Sequence, residues 1–337
     1  MRPGRTKLSD VAQRAGVSLA TASRSINHPA QVKPELRQRV MQALQELAYV
    51  TNGRARALAT ARSSTIGAIV PTLNISIFAT AAELLQRRLG EAGYTLMLAS
   101  SAYDPAQELA QVKAFLEQGI DGMVLVGCEH DAKVFELLEA SATPFILTYT
   151  YSPDCSYPCV GFDNFKSAYR VTEYIIGLGH RRIGLIMSPT KWNDRVAQRL
   201  AGIRAALADQ SILGLSECVL EFPYSIAKGR SAFRRLMSGA QPPTAVICTN
   251  DVFGVGALLE CKALGIEVPK SVSIVGYDDL ELAAEIEPGL TTCQIPIQEM
   301  TDRVVDYLLS RIAGRPIAAS VELATRIIIR GSTGRPG

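Results

Sequence analysis

KLSDVAQRAGVSLATASRSIN, residues 7–27, holds two short helical patterns separated by Ala15-Gly16-Val17-Ser18. In the first, Leu8, Val11, Ala12 and Ala15 fall at i, i+3, i+4 and i+7, the spacing of one buried helix face. Gly16 follows at once, where a helix stop takes a left-handed backbone at little steric cost. Ser18 then suits the N-cap of a second helix, its hydroxyl accepting an otherwise unpaired amide of the next turn. That second helix is small inside, with Ala22 and Ile26, and hydroxylic or cationic outside, with Thr21, Ser23 and Arg24. Helix, glycine turn and helix fit the helix-turn-helix, whose second helix enters a DNA major groove. A plain pair of small helices at a domain edge has the same topology, so further detail must decide.

The charge supplies some of it. Residues 1–62 carry eleven Lys and Arg (2, 5, 7, 14, 24, 33, 37, 39, 54, 56 and 62) against Asp10, Glu35 and Glu46, about +8 on a chain whose total is +3. A basic head therefore precedes a mildly acidic body, the electrostatic footprint of a phosphate-binding module. A length of 337 residues suits two or three domains, and 47% hydrophobic with 20% charged residues is a globular composition with a sizeable core. No stretch approaches ~18 uncharged apolar residues, so no membrane span is expected. Nor does an apolar run follow the basic Arg2, Arg5 and Lys7, which leaves the cytoplasm as the expected location. The seven cysteines are odd in number and form no CxxC pair. Neither a disulfide framework nor a metal site is expected, and Cys128, Cys248 and Cys293 read as small buried hydrophobes.

Further along, a third helix is expected over residues 34–47, with Pro34 in its first turn and Leu36, Val40, Ala43, Leu44 and Leu47 as its apolar stripe. It should cover the first two helices and close a small headpiece. Residues 49–64 are basic and Ala-rich, a linker by composition. From residue 64 strand-like runs alternate with helical periods. Strands are expected at 66–70, 95–99, 122–126 and 145–148, with helices at 78–92, 106–118 and 132–140. A second series follows from Val160, with helices at 167–178, 195–207, 228–237 and 253–264 and strands at 183–187, 245–249 and 272–275. Such alternation predicts βαβ units and two doubly wound parallel-sheet lobes. A last helix over 298–312 and short strands near Val321 and Ile327 complete the pattern. Ligands of such sheets bind outside the carboxyl ends of the strands, so facing lobes create a cleft.

Asp10-Val11-Ala12, Ala15-Gly16-Val17-Ser18, Ala20-Thr21 and Ser23-Arg24 together resemble the headpiece of the lac repressor and gal repressor family of bacterial transcription regulators, and the likeness extends over nearly the whole chain. The resemblance implies an all-α helix-turn-helix headpiece over 1–50, a hinge helix over 51–63, and an α/β core over 64–331 built like periplasmic binding proteins. Lobe 1 would comprise about 64–161 plus 295–322, and lobe 2 about 162–294 plus 323–331. The hinge would order on DNA and wedge Leu58 into a minor-groove step, flanked by Asn52 and Arg56. Thr51 stands where the family often has proline, and Gly53 adds roughly 1 kcal/mol of helix cost; both leave the hinge's ordered length open. On the second helix Leu19, Ala20 and Arg24 would face base edges, with Arg24 suited to guanine and the two apolar residues to a thymine methyl. Thr21, Ser23 and Asn27 would hold phosphates, and Ser18 joins this set at the helix start.

Polar residues that directly follow apolar runs mark the cleft. The family's effector contacts correspond to Arg199 in RLAG, Asn250 in TND and Asp278 in VGYDD, with Phe78, Asn74 and Phe165 on the other side. Carboxylate, amide and guanidinium groups together suit the hydroxyls of a sugar. Asp251 and Asp279 read as helix caps, and Trp192 suits either stacking on a sugar ring or packing at the surface. The expected protein is a homodimeric regulator, most often a repressor in this family, that binds a palindromic operator under control of a small polar effector. A sugar or sugar acid is favoured, with a purine as the alternative, and induction and co-repression both stay open. No GxGxxG, GxxxxGK[ST] or nucleophile motif supports an enzyme, so no catalytic residue and no cofactor are expected. A solute-binding transport component fits the lobes but not the basic head.

Overall fold

The computed structural model describes residues 6–27, 29–49, 62–74, 76–212 and 219–337. Its contacts divide at Ser64 into a headpiece unit and a core unit, Thr65–Gly337. The hinge residues Asn52, Arg56 and Leu58 lie outside the described residues.

In the headpiece, α1 (Leu8–Ala15), α2 (Leu19–Asn27) and α3 (Pro34–Glu46) enclose Val11, Ala12, Ala15, Ala22, Val40 and Ala43. Gly16 is left-handed at φ 62°, and the Val17 amide donates to the Ala12 carbonyl at 3.0 Å, which satisfies the exposed end of α1. Ser18 caps α2, its hydroxyl accepting the Thr21 amide at 3.1 Å. Ala22 and Ser25 carry the interior of α2, whereas Ile26 is only half-buried. So small a core needs ties at its rim. Arg39 of α3 donates to the Gly16 carbonyl at 3.2 Å, and Arg14 pairs with Glu46 at 2.5 Å.

The core begins with β1 (Thr65–Val70), α4 (Ser76–Glu91), β2 (Thr95–Ser100), α5 (Pro105–Glu117), β3 (Gly122–Val126), α6 (Ala132–Ala140), β4 (Phe145–Thr148) and β5 (Cys159–Gly161). Then come α7 (Asn164–Gly177), β6 (Ile183–Met187), α8 (Asp194–Asp209), β7 (Val219–Glu221), α9 (Ile226–Met237), β8 (Ala245–Cys248), α10 (Asp251–Leu264), β9 (Ser273–Asp278), α11 (Glu281–Glu285) and β10 (Thr291–Gln294). The chain closes with α12 (Ile297–Ile312), β11 (Val321–Glu322) and β12 (Arg326–Ile328). The strands form two sheets, ordered β11-β5-β4-β3-β1-β2 and β12-β10-β9-β8-β6-β7. Every described pairing is parallel except β10 with β12. Helices cover both faces, so β3, β4, β6 and β8 are buried along their whole length and read as continuous apolar runs.

The connection is not one lobe after another. β5 leads into α7 of lobe 2, β10 leads back into α12, and β11 hands over to β12, so the chain crosses between lobes three times. On its return α12 buries Met300, Val304, Val305 and Leu308 in the lobe 1 core, while Asp302 takes the Arg88 guanidinium of α4 at 2.8 Å. Three core elements escaped the periodicity, the three-residue β7, the four-residue β10 and the five-residue α11, all too short to show a period. Lobe 2 also continues past residue 331. Ser332 donates to the Ile274 carbonyl at 2.6 Å, and the buried His180 ring contacts the Ser273 hydroxyl and the Gly334 carbonyl at 3.0 and 2.9 Å.

Within lobe 2, α8 lies hard against α7 because Gly202 has no side chain: a Cβ there would collide with the Phe165 carbonyl and the Tyr169 amide. This close approach sets the height at which residue 199 stands over the strands. Gly202→Val is expected to lower core stability by about 1–3 kcal/mol, the usual cost of overpacking, read as a fall in the urea midpoint of the core transition.

Candidate functional site

The solvent side of α2 presents Leu19, Ala20 and Arg24, all exposed, with Ser18 at its start. Thr21 and Ser23 are partly exposed, and the Ser18 and Thr21 hydroxyls are 2.9 Å apart. At 100° per residue, Leu19, Ala20, Ser23 and Arg24 share roughly 140° of arc. An exposed leucine is 54% open to solvent here. A face that mixes one guanidinium, hydroxyls and a bare apolar side chain has the chemistry to read base edges and thymine methyls. Asn27 ends the same helix.

In the core, the strand ends converge on Arg199. Its guanidinium lies over the Tyr277 ring at 3.5 Å, donates from Nε to Asn164 Oδ1 at 2.9 Å and from Nη1 to the Thr249 carbonyl at 2.7 Å. Asp278 Oδ1 stands 3.9 Å from Nη2. Asn164 in turn donates to the Tyr149 carbonyl at 3.0 Å, so one amide ties the end of β4 in lobe 1 to the arginine of lobe 2. The Ser167 and Tyr277 hydroxyls form a close hydrogen bond beneath. Phe78 meets Tyr149 edge-on at 5.3 Å. Phe78, Tyr103, Tyr149, Asn193, Arg195, Arg199, Tyr224 and Asp278 line one small enclosed hollow. A cavity of about 720 Å³ opens beside it past Asn74, Asp251, Asp278, Asp279 and Gln294. On another side, one of about 320 Å³ opens past Asn74, Tyr103, Lys191, Asn193 and Tyr224.

Four of the residues marked in the sequence meet here: Phe78, Arg199, Asp278 and, at the mouths, Asn74. Three take other places. Phe165 is 39% exposed on α7 and stacks on Tyr169, away from the cleft, because the helix starts at Asn164 and turns its second residue outward. Asn250, not Asp251, caps α10: its Oδ1 accepts the Phe253 amide at 3.0 Å, and its buried Nδ2 has no hydrogen-bond partner among the described residues. Trp192, left-handed at φ 57°, borders a separate hollow with Pro71, Tyr103 and Arg195 at the junction of the lobes. The capping roles expected of Asp251 and Asp279 are also absent. Asp251 takes the Thr292 hydroxyl at 2.6 Å and the Leu280 amide at 2.8 Å, while Asp279 takes Arg330 at 2.7 Å and Gln294 at 2.8 Å.

Asn164, which ends the apolar run CVGFDN, was marked by the strand-end rule and does stand at the site, whereas Tyr103, Tyr149, Asn193, Arg195 and Tyr224 had no signal of their own. Tyr149 directly follows β4, so extending the strand-end rule by one residue would have found it. Arg195 Nη1 donates to the Val126 carbonyl at 3.0 Å, and the Cys128 amide donates to Asp194 Oδ2 at 2.9 Å. Tyr103 contacts Tyr224 and Arg195, and burial pushes its hydroxyl well above the usual range. These contacts join lobe 1 to the first turn of α8.

Burial also pushes the Asp278 carboxyl up to about 7, with Arg199 pulling the other way. Burial and the Asp278 charge push Asp251 up to about 8. Asp278 sits at φ 113°, a backbone state that side chains rarely adopt and that costs of order 1–3 kcal/mol. Both carboxyls have folded pKa values above the unfolded ~4, so their protons favour the fold below that value, and this stability drains away as pH rises from ~4 to 7–8. Asp278→Asn is therefore expected to flatten the fall in melting temperature between pH 5 and pH 8 and to raise it at pH 8; an unchanged slope would count against the raised carboxyl.

The profile of "Bacterial regulatory proteins, lacI family" matches residues 7–52, and that of "Periplasmic binding protein-like domain" matches residues 172–333. The chain is 31% identical over 317 residues to the HTH-type transcriptional regulator GntR of Escherichia coli (strain K12), covering 94% of this chain and 95% of that one. Among solved structures, the lac repressor dimer bound to operator and the anti-inducer ONPF is 25% identical, with a TM-score of 0.86 over 98% of this chain and 100% of that one. The complex of the transcriptional regulator CelR with cellobiose is 29% identical, with a TM-score of 0.70 over 97% of this chain and 100% of that one. Headpiece, lobes and relatives agree: the chain belongs to the LacI family, as a DNA-binding transcriptional regulator with an effector-binding, periplasmic-binding-protein-like core, and not as an enzyme.

Proposed function

We propose that two copies of this chain bind a palindromic operator in the cytoplasm and repress transcription, and that a sugar or sugar acid held between the lobes sets the affinity. The observation that carries the effector class is the lining of the cleft. Phe78, Tyr103, Tyr149 and Tyr224 supply aromatic surface, and Asn193, Arg195, Arg199 and Asp278 supply directional polar groups around the same hollow. Aromatic faces pack on the C–H face of a pyranose, while guanidinium, amide and carboxyl groups pair with its hydroxyls. Lys191 at one mouth and Arg195 inside favour a ligand with a carboxylate. Asn250 is a further contact through its unpartnered Nδ2, and Trp192 borders an adjoining hollow that shares Tyr103 and Arg195 with the cleft. Cellobiose in the CelR complex is in keeping with a sugar.

At the DNA, Arg24 takes a guanine edge, Leu19 and Ala20 take methyl groups, and Ser18, Thr21, Ser23 and Asn27 hold phosphates. Two headpieces read two half-sites, since two-fold protein symmetry mirrors the palindrome. Asn52, Arg56 and Leu58 belong to the hinge, where Leu58 wedges into the minor groove. The effector controls this by binding one lobe arrangement better than another.

Arg24→Ala is expected to reduce preference for the operator over random DNA by about tenfold to a hundredfold, the worth of one bidentate base pair contact. Competition binding at fixed salt measures it, and full discrimination in the variant would remove the assignment. A thermal-shift panel of sugars, sugar acids and purines should show one sugar or sugar acid that raises the core transition by mass action. That shift should vanish in Asp278→Ala. A purine that shifts the transition while every sugar fails would replace the effector proposed here.

A further inference from the structure

Outside the cleft, one cluster of side chains is left without a part in either DNA reading or ligand binding. β3 ends at Val126 and turns through Gly127, at φ 93°, into Cys128. The loop that follows β4 turns back and brings Cys155 to it, with the two Sγ atoms 3.6 Å apart. Both cysteines are partly exposed, whereas the described Cys159, Cys248, Cys261 and Cys293 are buried. Two thiols in van der Waals contact need to close by only ~1.5 Å to reach the S–S length of ~2.05 Å. The same corner is one of the places where the two lobes touch. The Cys128 amide donates to Asp194 Oδ2 at 2.9 Å, and the neighbouring Arg195 donates to the Val126 carbonyl at 3.0 Å, both from the first turn of α8.

We propose that Cys128 and Cys155 form a reversible disulfide, a redox modification site, and that closing it draws the Cys128 corner away from Asp194 and loosens the grip between the lobes. Disulfides inside cells serve mostly as transient or sensing bonds, which is the role open to a pair at a moving junction. The co-reactant is a small disulfide such as oxidised glutathione. The Cys155 thiolate attacks one of its sulfurs and expels one small thiolate, which takes up a proton. The Cys128 sulfur, giving its proton to solvent, then displaces the second small thiol from the mixed disulfide. One small S–S bond breaks, one protein S–S bond forms, and two electrons pass from the protein to the small disulfide. Burial pushes the Cys128 thiol up to about 12, with the Thr150 hydroxyl pulling the other way and Asp194 and Cys155 adding to the rise, so the Cys128 sulfur acts second, as the resolving sulfur. Cys159, whose thiol also neighbours Cys155, is the rival partner; it is buried in β5 and held by Ser320 and Ser152.

The full-length protein, equilibrated in glutathione buffers from fully reduced to fully oxidised, should lose two hydrogens in intact mass, and peptide mapping should join residue 128 to residue 155. In the oxidised chain, hydrogen exchange of peptides spanning 126–130 and 194–199 should quicken about fivefold, the factor expected for one lost hydrogen bond. Dithiothreitol should restore both readouts, and Cys155→Ser should show neither change. The proposal fails if no bond forms at any glutathione ratio, or if the mapped bond is 155–159. A 128–155 bond that leaves exchange at 194–199 unchanged overturns its coupling to the lobes.

Discussion

A guanidinium taken out of water costs several kcal/mol unless its charge and its donors are answered on the spot. Arg199 imposes that requirement at the centre of the core. It is met by the Asn164 amide, the Thr249 carbonyl, the Tyr277 face and, at longer range, Asp278. The partners come from three places, the crossover after β5 (Asn164), the end of β8 (Thr249) and the end of β9 (Tyr277 and Asp278), so those ends must arrive together. Gly202 sets how low α8 sits, and the paired order of β8 and β9 sets where Thr249 and Tyr277 stand. A ligand that enters here meets a charge already oriented and already desolvated, which costs no further ordering.

Much of this was legible in the chain. Two-lobe architecture follows from strand runs and helix periods, because buried parallel strands leave unbroken apolar segments that short surface strands do not. Thus β3 and β6 stood out in the sequence, while β7, three residues long with one buried side chain, did not. Gly16 and Ser18 announced their backbone roles because a left-handed residue and an N-cap are local chemistry, complete within a few residues. The three crossings were different in kind: they rest on long-range pairings such as β5 with β11, which no local pattern encodes.

For the cleft, the strand-end rule identified Asp278 and Asn164, and the family resemblance identified Arg199, but neither told which neighbour does what. Asn250 and Asp251 are adjacent, and each suits both a cap and a cleft residue; their roles were decided by helix phase, one residue apart. Phe165 was lost in the same way, one step into α7. Tyr103 and Arg195 were invisible for another reason. Each matters only because the other lobe supplies its partner, and that partner lies far off in sequence.

The three crossings all lie at the same end of the strand order in each sheet, where β11 pairs with β5 and β12 pairs with β10. Three tethers set in a row resist sliding and twisting but bend together, as the leaves of a door do on several pins. Bending about those tethers is the motion that the connections oppose least. Occupants of unlike chemistry placed between the lobes would then all act through that one bend.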